Sequence, residues 1–111
     1  MSTAPRTRLP AIDVPAPLDQ VIAVLALEPE ELSRTRDLGF QDSYDDLDDL
    51  KVAIVATERA TYALVRHRNS PSPGTEVHAP AGNPELALSD LLTKLKLSEA
   101  DVLWTRPKAR T

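Results

Sequence analysis

The sequence predicts an α+β domain in the order α-α-β-β-β-α-β, and three observations carry that expectation. Three strand-like runs, Lys51 to Thr57, Thr61 to Arg68 and Thr75 to Ala79, succeed one another with turn-forming residues between them. A helical pattern precedes them. After them Leu88, Leu91, Leu92 and Leu95 recur at i, i+3, i+4, i+7, the spacing that lines one face of a helix. The expected architecture is a small antiparallel sheet, a three-strand meander plus a C-terminal strand. An N-terminal helix pair and one C-terminal amphipathic helix pack on it.

Each element has its own reason. Residues 1–16 hold Pro5, Pro10 and Pro15 among Ser, Thr, Ala and Arg, which reads as a flexible arm that sustains neither helix nor sheet, although Leu9, Ile12 and Val14 could dock on the domain. Leu18, Val21, Ile22 and Leu25 then share one helical face, and Pro17 suits a first helical position, predicting a helix over 17–26. Glu28-Pro29-Glu30-Glu31 marks a second helix start, with carboxylates in the first turn facing the positive end of the macrodipole, and Gly39 is its expected stop.

Residues 41–50 read as an acidic connector with room for one helical turn at Tyr44, Leu47 and Leu50. Val52 to Ala56 is a near-continuous apolar run, the pattern of a strand covered on both sides. Thr61 to Arg68 is apolar at first and basic at its end, and the Glu58-Arg59 link is hairpin-short although it lacks the Gly or Asn of a primed turn. Residues 69–74 contain only turn formers, leading into the third strand. Asn83 and Pro84 make an N-cap and first position for the leucine-striped helix, and Val102 to Thr105 is a last strand. The expected organisation is the arm at 1–16, one domain at 17–106 and a basic tail at 107–111.

Composition bounds the function. The chain of 111 residues has 17 acidic and 13 basic side chains, a net charge of −4 that disfavours a nonspecific nucleic-acid binder. That charge is unevenly spread: residues 28–49 carry nine acids against Arg34 and Arg36, whereas the chain from Lys94 onward is net basic. No cysteine is present, which removes disulfides, thiolate metal sites and cysteine nucleophiles. With three glycines, no P-loop or dinucleotide fingerprint can be written. The first ten residues lack the apolar stretch of a signal peptide, and no run approaches the roughly 18 apolar residues of a membrane span, so a soluble, cytoplasmic chain without membrane contact is expected.

Two clusters stand out as candidate sites. Asp42, Asp45, Asp46, Asp48 and Asp49, with Tyr44 among them, form either a solvated acidic connector or a patch that faces a protein partner. Their spacing fits no EF-hand loop, and no metal or other cofactor is expected. Arg66 and Arg68, on one face of a strand with His67 on the other, and Arg59 on the same predicted sheet, could attract an anionic ligand. The ordinary reading is that they end a strand in solvent and pair with carboxylates. His67 and His78 could approach each other across the turn-rich loop, but no third ligand is identifiable. Trp104 reads as a core residue or a partner anchor.

No serine or threonine sits in a recognisable nucleophile set, so a noncatalytic interaction or regulatory module is expected, of adaptor, antitoxin or immunity-like kind, not an enzyme. The alternative is a nucleic-acid or anionic-ligand binder through Arg59, Arg66, Arg68 and the C-terminal basic cluster. A homodimer through an edge strand is a further expectation, because unpaired backbone groups recruit another strand.

Overall fold

The computed structural model describes Leu18 and residues 20–44, 49–69 and 73–106. In chain order these form β1 (Gln20–Leu25), α1 (Pro29–Arg36), β2 (Gln41–Tyr44), β3 (Asp49–Ala56), β4 (Thr61–His67), β5 (Thr75–Ala79), α2 (Pro84–Leu95), a 3-10 turn (Glu99–Asp101) and β6 (Val102–Thr105). All strand pairs are antiparallel, and the sheet order is β2-β3-β4-β5-β1-β6.

The chain is therefore α+β, but the expected order α-α-β-β-β-α-β is overturned. The N-terminal helix pair does not exist. Residues 20–25 form a strand inserted between β5 and β6, and residues 41–44 form an edge strand where a connector was expected. The helical spacing at Leu18, Val21, Ile22 and Leu25 misleads because Val21, Ile22 and Val24 are β-branched and stiff at χ1, which favours a pleated surface over a helix. A register shift between Val21 and Ala23 adds one residue and breaks the simple alternation that would have marked a strand. Polar Gln41-Asp42-Ser43 lacks β-branched residues altogether, and only its pairing with β3 makes it a strand.

The strands expected between 51 and 79 do form an antiparallel meander, β3-β4-β5. Thr57 makes the β3–β4 turn without glycine: its hydroxyl accepts from the amides of Arg59 (3.0 Å) and Ala60 (3.1 Å), while its own amide donates to the Ala60 carbonyl (2.8 Å). Asn83 caps α2 as expected, its side-chain oxygen accepting from the Glu85 and Leu86 amides. Helix α1 stops earlier than expected. Asp37, at φ 57°, takes the left-handed position assigned to Gly39.

One face of the sheet carries the main core. Ile22, Ala23, Leu25, Ala53, Val55, Tyr62, Leu64, Val77 and Ala79 meet Leu32 of α1 and Leu91, Leu92 and Leu95 of α2. The helices are tied end to end: the Arg36 guanidinium donates to the carbonyls of Leu95 (2.6 Å) and Lys96 (3.3 Å), meeting the otherwise orphaned C-terminal end of α2. The opposite face holds a smaller cluster of Leu18, Leu50, Val52, Ala63 and Val65. Among the described residues no helix is long and apolar enough to cross a membrane. The expected arm and basic tail lie outside the described residues.

The packing yields a direct test. Leu91 is fully buried whereas Leu86, five positions away on a different face of α2, is 65 % exposed. Leu91→Ala should lower stability by about 2–5 kcal/mol in urea unfolding, and Leu86→Ala should stay within about 0.5 kcal/mol of the parent.

Candidate functional site

Where α1 begins, the helix-bearing face of the sheet opens into a cleft of about 620 Å³. Its walls are the α1 start (Glu28, Pro29, Glu30), β2 (Asp42, Ser43), β3 (Asp49, Leu50, Lys51) and the basic end of β4 with the residue following it (Arg66, Arg68). Antiparallel register explains the convergence. Lys51 lies opposite both Asp42 and Arg66, so the charged positions of three adjacent strands form one row.

The charges pair within that row. Lys51 Nζ donates to Asp42 at 2.8 Å, and Arg68 NH1 meets Asp49 at 3.1 Å. The Asp42 carboxylate, by hydrogen bond and then by charge, holds the Lys51 ammonium above its ordinary value. Both pairs are solvent-exposed, with side-chain exposures between 51 and 85 %, so water screens them and they contribute little to stability.

Arg66 is different. Only 24 % exposed, its Nε lies 3.4 Å from the Glu28 carboxylate and its NH1 donates to the Gly74 carbonyl at 3.0 Å. The other Glu28 oxygen accepts from the Gly74 amide at 2.7 Å. Glu28 and Arg66 thus clamp Gly74 by both of its backbone groups, joining the entry of α1, the end of β4 and the start of β5. Gly74 sits at φ +98°, and a Cβ there would run into the Leu25 carbonyl oxygen.

The cleft therefore brings together Asp42, Asp49, Arg66 and Arg68 of the sequence-derived candidates. Tyr44 ends β2, paired with Asp49 through the backbone. Asp45, Asp46 and Asp48 lie outside the described residues. Arg59 is not part of the site. It sits in the β3–β4 turn, seven positions and about 23 Å of strand from Arg66, and does not line the cleft. His67 lines a small recess with Val24, Val65 and Gly74. His78 pairs with Ala63, four positions along β4 from His67, so about 13 Å separates the two along the strand and the expected histidine pair does not form. His78 instead lies 3.0 Å from Glu76 through Nε2, fully buried. Among the described residues no three His, Asp or Glu side chains converge to hold a metal ion.

Sequence reading missed Glu28 and Glu30 as walls of the cleft, since acids at a helix start already have a local explanation. It also missed a polar cluster at the other end of the sheet. Asp90 of α2 accepts from the Thr57 hydroxyl (2.6 Å) and the Tyr62 hydroxyl (2.7 Å). The Thr57 hydrogen bond above all holds the Asp90 carboxyl below its ordinary value, aided by Tyr62 and the charge of Arg59, while burial and the Asp90 hydrogen bond push the Tyr62 phenol well up. The cluster fastens α2 to the β3–β4 turn.

Compared with family models, curated proteins and solved structures, the chain matches none.

Two outcomes test this geometry. Gly74→Ala should cost about 1–3 kcal/mol from the left-handed conformation alone, whereas Gly39→Ala, with open space around its Cα, should be neutral or slightly stabilising in the same thermal unfolding series. Asp90→Ala leaves the buried Tyr62 hydroxyl without its acceptor and should cost about 1–3 kcal/mol near neutral pH. Because the folded carboxyl titrates below its unfolded value, the stabilisation is complete above the unfolded value and fades as pH falls through the lower folded one. The difference between parent and variant, followed by urea unfolding from pH 7 downward, should therefore shrink below roughly pH 4.

Proposed function

We propose that the protein is an interaction module whose acid-walled cleft receives a basic segment of a protein partner. The reading is carried by one observation: carboxylates from three separate elements, Glu28 and Glu30 of the α1 start, Asp42 of β2 and Asp49 of β3, surround one open cleft. The cations there are already engaged. Lys51 and Arg68 are held by exposed pairs that exchange at little cost, and Arg66 is committed to Glu28 and Gly74. An incoming lysine or arginine can take over Asp42 or Asp49 while Glu30 offers further charge, and the four carboxylates of the lining outnumber its three cations, Lys51, Arg66 and Arg68. The 28–49 segment carries a net charge of −7 over its length, which favours a basic partner.

The alternative anionic-ligand reading loses Arg59 to the far end of β4 and is the weaker of the two. A fluorescein-labelled lysine- and arginine-rich peptide, titrated at rising salt, distinguishes them. Salt-sensitive binding that weakens roughly fivefold in an Asp42→Asn, Glu30→Gln double variant is expected. Absence of peptide binding, together with heparin retention abolished by Arg68→Ala, would transfer the function to anions.

A further inference from the structure

We propose that two copies of the chain pair antiparallel through β6, with Trp104 on the two-fold axis. Strand β6 ends the sheet, next to β1 alone among the described strands. The other edge, β2, carries Asp42 in its middle, and charge on an edge discourages strand addition. Val102-Leu103-Trp104-Thr105 contains no charge and no proline, and Leu103 and Trp104 are 54 and 44 % exposed, although a register shift interrupts its pairing with β1. A groove of about 740 Å³, with Leu88, Leu92 and Val102 in its lining, runs beside it toward α2.

The backbone pairing at Trp104 and Thr105 bears on the register. The Arg106 amide donates to the Ile22 carbonyl at 2.8 Å while Ala23 faces Thr105, so Thr105 is a non-hydrogen-bonded position relative to β1. Its N–H and C=O point outward, while Trp104 is bonded inward to Val24, and Leu103 is the extra residue of a register shift that sets Val102 opposite Leu25. A perpendicular two-fold requires one residue to face its own copy. With Trp104 in that place, the outward N–H and C=O of Thr105 in each copy face the Leu103 side of the other's strand and find partners across the seam. The two indoles then stand as a close cross-strand aromatic pair, the most favourable type for such a position.

The occupant follows from charge. Glu99 and Asp101 precede β6 and Arg106 follows it. An antiparallel copy lays the basic end of each strand along the acidic turn of the other, so the edge is complementary to itself. The pairing is independent of the acid-walled cleft, which lies at the β2 side of the sheet.

Sedimentation of the full chain over a concentration series, with fluorescence of its one tryptophan, tests the pairing. Mass should rise from 12.1 kDa toward twice that value, with a blue shift of the emission in step. Thr105→Pro removes only an outward N–H, which an edge strand tolerates, and should raise the dimer dissociation constant at least about tenfold while circular dichroism stays that of the parent. Should that variant unfold, Trp104→Lys, which sets two ammonium groups on the axis, decides instead. A monomer throughout the series, or a dimer indifferent to whichever folded variants are measured, overturns the proposal.

Discussion

The seating of β1 between β5 and β6 is the constraint on which the rest of the structure depends. Ala23 pairs with Val77 on one side and Thr105 on the other, so one strand satisfies its backbone on both edges while Ile22, Ala23 and Leu25 are withdrawn from water. Helix α2 rests against this strand and places Leu91, Leu92 and Leu95 on the core it helps to build. The chain leaves β1 directly into Glu28, so the position of the α1 start, and with it one wall of the cleft, is inherited from the same pairing.

Much of the fold is legible where local signals and burial agree. The β-branched run of β3, the turn formers before β5 and the leucine stripe of α2 each point the same way as the tertiary structure. They fail where the two disagree. Val21-Ile22-Ala23-Val24-Leu25 carries the continuous apolar signature read correctly at 52–56, yet the coincidence of helical spacing at its ends outweighs it, and the irregular register hides the period of two. Strand β2 is written in residues that favour loops; its partner supplies the conformation, which a single strand cannot reveal. The end of α1 misleads for a similar reason, as a short polar side chain at Asp37 adopts the left-handed turn that glycine would take without strain.

The candidate site is legible in halves. The aspartate cluster and the arginine pair are visible as charge along the chain, but their meeting is a matter of register, since Lys51 has to lie opposite both Asp42 and Arg66. Arg59 looks equivalent to Arg66 in sequence and is removed from it by the length of a strand. The Thr57–Tyr62–Asp90 cluster joins positions about thirty residues apart, with no motif to announce it. Within the cleft, exposure separates two kinds of charge. The half-buried Arg66–Glu28 clamp on Gly74 is framework, and the solvent-screened pairs at its rim are free to exchange.

The topology also orders events during synthesis. The meander joins neighbours and closes through short loops, whereas β1 must await β5 and β6, some fifty to eighty residues downstream. In that interval a contiguous apolar pentapeptide of high β-propensity stands unpaired in the nascent chain, the kind of segment that seeds intermolecular association. The proline and acidic residues that follow it, Glu28-Pro29-Glu30-Glu31, are of the types that disfavour such association when they flank an apolar strand, a property distinct from their places in the folded structure.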